Sequence, residues 1–298
     1  MTLLKKIYRR LNVRYRAILS AFAKKYMRSP KVLSIEDTLN LIINEHFSVS
    51  RNGDGELNLM MGEAIDFQQN DERLVSLLKE ALNGKIEKYL SCLPSIFGDN
   101  SRFTDKAQRY FEKYLRTKRY YYYHFAKAPV YGDAFISRFY MDYVDKSVSS
   151  NQVKHLKRIW EGQDVILVEG MESKLGVNND LFDGARRLKR ILGPAENAFS
   201  VYDQLMDCVK KVASKDGLIL LALGPTATAM AYDLAKNGYW AVDIGHIDIE
   251  YEWYRMGAIT KVNVSGKYTN ESDEEKVVGT LPEYALQKYE SQILTRIQ

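Results

Sequence analysis

The chain has 298 residues, 46% of them hydrophobic and 27% charged, which suits one large folded domain or two small ones and argues against extensive disorder. Its two cysteines, Cys92 and Cys208, lack metal-ligand spacing and are too few for a disulfide framework, so a reducing, cytoplasmic setting is expected. The net charge of +5 is uneven: residues 1–31 hold ten basic residues and no acid, leaving −5 on the remainder, the opposite of a basic body that binds nucleic acid.

In chain order, Leu4, Ile7, Leu11, Tyr15, Ile18, Phe22 and Tyr26 recur at three- and four-residue steps and predict a basic amphipathic helix, closed by Ser29-Pro30. Residues 1–31 thus read as a segment set before a domain over 32–298. Such a helix suits packing on its own domain, a partner's groove, or peripheral contact with an anionic membrane, here the inner face of the plasma membrane. No apolar run approaches the ~20 residues of a spanning helix, and no secretory signal is recognisable.

Beyond residue 32, strand-like runs (Phe47 to Ser50, Asp164 to Val168, Leu218 to Leu223, Tyr239 to Ile244, Ile259 to Val264) are separated by amphipathic stretches at 34–45, 71–82, 103–116, 150–160, 200–213 and 226–236. A last helix is expected over 281–296. Tyr120 to Tyr123 reads as a strand used for core and rim packing, and Lys267 to Lys276 as the most loop-like stretch of the C-terminal half. The alternation predicts an α/β fold, a mostly parallel sheet with helices on both faces. Ligands of such sheets bind at the carboxyl ends of the strands.

Four strand-end segments carry chemistry. In Ser50-Arg51-Asn52-Gly53-Asp54-Gly55-Glu56-Leu57, two glycines flank Asp54, so the backbone can turn tightly and approach a ligand. Asp54 and Glu56 offer hard oxygens to Mg²⁺ or Mn²⁺, and Arg51 can pair with a phosphate or with these acids. Asp-x-Glu also occurs at 248–250 and 273–275, so the spacing alone reads equally as a solvated turn or a helix cap. In Val168 to Asp180, Ser173, Lys174 and the local amides are candidate phosphate ligands, or the loop is a plain connection capped by Asn179 or Asp180. Leu223-Gly224-Pro225-Thr226-Ala227-Thr228 opens a helix with Pro in its first turn, where Thr226, Thr228 and the amides can hold an anion or simply cap. It carries neither the dinucleotide glycine fingerprint nor a P-loop. In Asp243 to Trp253, His246, Asp248, Glu250 and Glu252 alternate with Ile247, Ile249, Tyr251 and Trp253. An extended conformation places the four ionisable groups on one face, for acid–base chemistry or for solvent.

Together these segments resemble the GT-D type glycosyltransferases, a bacterial family formerly known as a conserved domain of unknown function. The resemblance is carried by Arg51-Asn52-Gly53-Asp54-Gly55-Glu56-Leu57, Asp133-Ala134-Phe135-Ile136-Ser137-Arg138, Leu223 to Thr228 and Asp243 to Trp253. Ser173-Lys174-Leu175-Gly176 and Asn179-Asp180-Leu181 look like the family's phosphate-side loop, with Lys174 where an arginine is usual. It spans roughly residues 32–270 and implies a Rossmann-like fold, a UDP-sugar donor and a divalent metal, Mn²⁺ or Mg²⁺. Asp54 and Glu56 match the family's D-x-E motif, which engages metal and nucleotide. The implied role is building bacterial surface glycans and glycoproteins.

On this reading Arg51, Asp54, Glu56, Ser173, Lys174, Gly176, Asn179, Gly224, Thr226 and Thr228 bind the donor nucleotide, and Asp54 and Glu56 the metal. Gln68, Asp133 and Arg138 line the sugar or acceptor side. One of His246, Asp248, Glu250 and Glu252 acts as general base, with Glu250 and His246 foremost. The expected acceptor is a glycan or glycoprotein, and a homo-oligomer is compatible with the sequence. A metal-dependent phosphohydrolase would use the same acids and loops with water as acceptor. A sugar-nucleotide-binding scaffold would not need the acids of 243–252.

Overall fold

A computed structural model describes residues 3–267 and 280–298. Its strands are β1 (Ser48–Arg51), β2 (Tyr89–Leu93), β3 (Gly132–Asp133), β4 (Asp164–Gly170), β5 (Arg187–Gly193), β6 (Leu218–Ala222), β7 (Trp240–Asp243) and β8 (Ile293–Arg296). The helices are α1 (Leu3–Tyr26), α2 (Ile35–Glu45), α3 (Asp54–Met60), α4 (Glu72–Asn83), α5 (Asp105–Phe125), α6 (Ser149–Lys157), α7 (Tyr202–Val212), α8 (Pro225–Lys236), α9 (Ile247–Met256) and α10 (Glu283–Gln292).

Capping side chains start several helices. The side chains of Ser34, Asp71 and Thr104 accept hydrogen bonds from the amides of Asp37, Leu74 and Ala107 at the starts of α2, α4 and α5. Strands β2 and β7 are buried throughout and β6 nearly so, as continuous apolar runs in a sheet covered on both faces must be.

All eight strands are parallel, in the order β3-β2-β1-β7-β6-β4-β5-β8. The chain moves outward from β1 to β3 on one side and fills the other side afterwards, so its direction of winding reverses between β1 and β7. That boundary is where α/β sheets open a crevice for ligands. One edge is the two-residue β3, continued by a bridge between Val32 and Tyr131. The other is the four-residue β8, whose pairing with β5 shifts register between Arg190 and Ile191.

Successive strand residues feed two cores. Val168, Ile219, Leu221 and Ala241 pack with residues of α3, α4, α5, α7 and α8. Val49, Val165, Leu167, Leu218, Leu220 and Val242 pack on the opposite face with α2, α6 and α9. The period of two along each strand accounts for the division.

Several sequence expectations are corrected. Residues 246–252 are not extended: after His246 the chain forms α9, closed by Gly257 at φ 62°. The alternation misled because both sides of this helix are buried, its acids facing internal partners instead of solvent. Tyr120 to Tyr123 lies in α5, which runs to Phe125 and far outlasts the expected 103–116. Ile259 to Val264 forms no strand, and Ile259 is exposed. The last helix stops at Gln292, and the residues expected to extend it form β8. In the loop-like stretch from Lys267 to Lys276, Lys267 is buried among acids. Residues 268–276, with the Asp-x-Glu at 273–275, lie outside the described residues.

Helix α1 is present as expected, but its packing face is not the apolar stripe. Ala23 and Ser20 are buried against α5, Ser20 Oγ accepts the Tyr120 amide, and Arg16 is bonded to Glu63. The stripe from Ile7 to Tyr26 is exposed. No helix among the described residues is long and apolar enough to cross a membrane.

Candidate active site

At the carboxyl ends of β1 and β7, where the winding reverses, the two strands are joined by an ion pair. Arg51, the last residue of β1, donates from its amide to Asp243 Oδ2 at 3.2 Å and from Nε to Asp243 Oδ1 at 3.3 Å. Asp243 ends β7 and is buried. Arg51 Nη1 reaches across to Ser137 Oγ at 2.9 Å, in the 3-10 turn that follows β3. Thr228, in α8, donates to both the Arg51 carbonyl (2.8 Å) and Asp243 Oδ2 (3.2 Å). Gly245 leaves the space for this guanidinium: a Cβ there would stand 1.6 Å from Arg51 Nη2, and its φ of +46° also favours glycine.

Asp54 and Glu56 occupy the first turn of α3, directly after β1. Asp54 is exposed and accepts from Tyr110 Oη at 3.0 Å and from the Gly55 amide at 3.1 Å. Glu56 accepts the Gly53 amide at 2.7 Å, half of a capping box. Glu56 keeps some exposed surface, yet its carboxyl is crowded enough that desolvation raises its pKa to about 7. The negative Asp243 adds to the rise; the Glu56 and Gly53 amides and Arg51 only partly oppose it.

Beside these groups lies the start of α8. Gly224, at φ +55°, approaches Phe67 so closely that a Cβ would meet its ring at 2.8 Å. Thr226 Oγ1 lies 3.4 Å from Gln68 Oε1, and Gln68 is itself buried and donates to Asn197 Oδ1. Asp133, at the end of β3, accepts from Ser95 and from the Phe135 amide. Burial is the largest influence on Asp133 and raises its pKa to about 6, against the lowering effect of those hydrogen bonds and of Arg102.

The remaining acids do not converge. Asp248 and Glu252, one helical turn apart on α9, share a buried cluster with Lys267, whose Nζ lies 2.7 Å from Asp248 and 2.9 Å from Glu252. Asn179 Nδ2 donates to both (2.8 and 2.7 Å), and the Gly176 amide donates to Asp248 at 2.9 Å. Glu250 points elsewhere and accepts the amides of Tyr140 and Met141, each at 2.7 Å. Burial raises the pKa of its carboxyl, and the Arg138 charge opposes this most. His246 is exposed and sits at the end of the β7 segment, just before α9. The single acidic face expected for these four residues is therefore corrected.

The loop 171–181 is corrected in one respect as well. The amides of Ser173, Leu175 and Gly176 donate to Gly170 O, Glu169 and Asp248, so they serve the loop's own fold instead of a phosphate. The side chains of Ser173 and Lys174 remain as ligand candidates, with Lys174 held at φ 47°. Sequence reasoning did not single out Asp243, Ser137, Tyr110 or Lys267 as site residues. Asp243 and Ser137 fell within the segments it marked, whereas Tyr110 carried no local signal.

The parallel α/β sheet thus gathers an arginine, carboxylates and a helix start at the carboxyl ends of its strands, where such sheets bind their ligands. Residues 49–272 match the family model described as Glycosyltransferase GT-D fold, and the chain belongs to that family. It is 40% identical over 271 residues to the probable glycosyl transferase Gly of Streptococcus gordonii, covering 91% of this chain and 39% of that protein. It is likewise 40% identical over 268 residues to the glycosyltransferase GlyD of Streptococcus pneumoniae serotype 4, covering 90% and 32%. The chain thus spans only about a third to two fifths of these relatives. A solved structure described as a new glycosyltransferase (DUF1792) from Streptococcus sanguinis superposes with a TM-score of 0.85 at 40% identity, over 91% of this chain and all of that one. A second, described as the domain of unknown function 1792 with a distinct glycosyltransferase fold, gives 0.83 over 96% of this chain.

Two outcomes follow from the geometry. Replacing Arg51 by Met strands the buried Asp243 carboxylate and costs on the order of 3 kcal/mol in urea unfolding. Adding Asp243→Asn recovers part of that loss, and equal, additive losses would refute the coupling. Asp133, with its folded pKa raised to about 6, takes up protons on folding between its ordinary carboxylate range and that value, so it loses stability for the wild type as pH rises through the window. Asp133→Asn therefore gains on the wild type, by up to about 3 kcal/mol between about pH 4 and pH 6.5, with no further change above. Parallel stability–pH curves would contradict this.

Proposed function

We propose that this glycosyltransferase transfers a hexose from a UDP-sugar to a glycan or glycoprotein acceptor, with the donor diphosphate bound at the carboxyl ends of β1, β6 and β7. The observation that carries the reading is the meeting of Arg51, Asp54 and Glu56 with the start of α8 at the point where the winding of the sheet reverses. The UDP-sugar, the acceptor class and a role in bacterial surface glycan or glycoprotein synthesis rest on the family resemblance.

The proposed cation is divalent and takes most of its ligands from substrate and water. Among the described residues no group of three or more His, Cys, Asp or Glu is arranged to hold a metal by itself. Asp54 and Glu56 offer two hard carboxylates, and Mg²⁺ or Mn²⁺ commonly uses such a pair together with substrate phosphates. When bound there, the cation would neutralise charge on the departing diphosphate.

The chain's own groups account for the rest of the proposal. The N-terminal end of α8, at Gly224 and Thr226, directs its positive dipole end toward the same side of the sheet as Arg51. Ser173 and Lys174 supply a hydroxyl and an ammonium from the 171–181 loop. Gln68, Asp133 and Arg138 are the candidates for holding sugar or acceptor hydroxyls. As general base we favour His246, which is exposed directly after β7, whereas Asp248, Glu250 and Glu252 are buried and hold structural contacts.

Thermal shift with UDP and Mn²⁺ tests donor binding: a ligand at a hundredfold excess over Kd stabilises by about 2.7 kcal/mol. Asp54→Asn with Glu56→Gln should abolish the part of the shift that needs Mn²⁺ while the variant still melts cooperatively. A full shift in that variant would remove the proposed metal site. His246→Ala should lower transfer at least about tenfold and leave nucleotide binding intact; unchanged turnover would return the role of base to another group.

A further inference from the structure

Helix α1 is mounted with its apolar side outward. Ile7, Leu11, Tyr15, Ile18, Phe22 and Tyr26 follow one another at three- and four-residue steps, and each is between 46% and 68% exposed. At 100° per residue they form one stripe about 100° wide. The opposite side is already engaged: Arg16 with Glu63, Ser20 with the Tyr120 amide, and Ala23 buried in the core. No rotation of the helix on α5 can bury the stripe without breaking those contacts. A stripe of this length, about 30 Å at 1.5 Å per residue, exceeds the scattered apolar residues of an ordinary surface.

The charge around the stripe selects its occupant. Lys5, Arg9, Arg10, Arg14, Lys24, Lys25 and Arg28 are all exposed, and residues 1–31 contain no acid. Arg10, Arg14 and Lys25 project along one border of the stripe by helical geometry, and Lys5 lies beyond the other. Tyr8, Tyr15 and Tyr26 lie toward the second border, residues that favour the boundary between hydrocarbon and water. A second copy docked stripe to stripe would press two sets of cations together with no acid in the segment to balance them.

We propose that α1 docks the enzyme on an anionic lipid surface, lying in the plane of the interface with Ile7, Leu11, Ile18 and Phe22 in the acyl boundary and its lysines and arginines against the headgroups. The inference does not depend on the identity of donor, metal or acceptor. Because α1 packs on α5, and α5 carries Tyr110 against Asp54, docking fixes the active-site crevice in one orientation relative to the surface.

The test is co-sedimentation of the full chain with sucrose-loaded vesicles. Vesicles of phosphatidylcholine with phosphatidylglycerol should retain it, and pure phosphatidylcholine should retain it at least about tenfold less. Raising ionic strength to about 0.5 M should release most of the bound protein. Ile18→Asp with Phe22→Asp should reduce binding at least about tenfold, with an unchanged far-ultraviolet circular dichroism spectrum and an unchanged cooperative melting transition. Lys24→Glu with Lys25→Glu, which leaves the apolar stripe in place, should weaken binding in the same direction. Absence of binding to anionic vesicles, or equal binding by the Asp double variant, overturns the proposal. So does a wild-type dimer in light scattering that the same variant converts to monomer, because a second copy would then own the stripe.

Discussion

The guanidinium of Arg51 and the carboxylate of Asp243 meet where the two halves of the sheet join, and the rest of the site is arranged around them. Four pieces of chain depend on this contact: the end of β1, the end of β7, the start of α8 through Thr228, and the turn after β3 through Ser137. A buried ion pair gains little net stability, because both charges surrender their hydration. What it contributes is a fixed geometry. The cation has a defined seat because Gly245 offers no side chain, and the anion has a defined seat because an amide, a hydroxyl and a guanidinium all donate to it. Burial is the main cause of the raised pKa of Glu56, and the same anion adds to it.

A second principle organises the acids that lie farther from this centre. Asp248, Glu250 and Glu252 lie within about one turn of one helix, yet each ties α9 to chain outside it. Asp248 and Glu252 gather Lys267, Asn179 and the Gly176 amide, while Glu250 gathers the amides of Tyr140 and Met141. Loop 171–181, the turn at 138–141 and Lys267 are irregular segments that lack a ladder of their own. Charged hydrogen bonds from a buried helix replace the ladder. Acidic residues close to a candidate active site can therefore be architectural, and their density alone is a poor guide to chemistry.

Much of the architecture was legible in the sequence. The amphipathic stretches at 34–45 and 71–82 and the apolar runs of β4, β6 and β7 act through neighbours a few residues away, so their consequences can be read locally. The α9 segment was misread for a physical reason: alternation of apolar and acidic residues signals a half-exposed strand only when one side meets water, and here both sides are buried. β5 escaped notice because Arg190 interrupts its apolar run, its charge balanced by Glu169 of β4, a partner 21 residues away. The seat of Arg51 joins residues nearly 200 positions apart, and no periodicity encodes such a pairing. In α1 the periodicity was correct, but it described the face turned to solvent.

The two borders of the sheet have a consequence for assembly. A sheet can grow by recruiting a strand only where a border leaves a straight run of backbone groups unpaired. Here one border is a strand of two residues, and the other is a four-residue strand entered through a register shift. Neither offers a template of useful length, so edge-to-edge polymerisation of this chain is disfavoured by construction. Contacts with other molecules then fall to side chains at the strand ends and along helix α1.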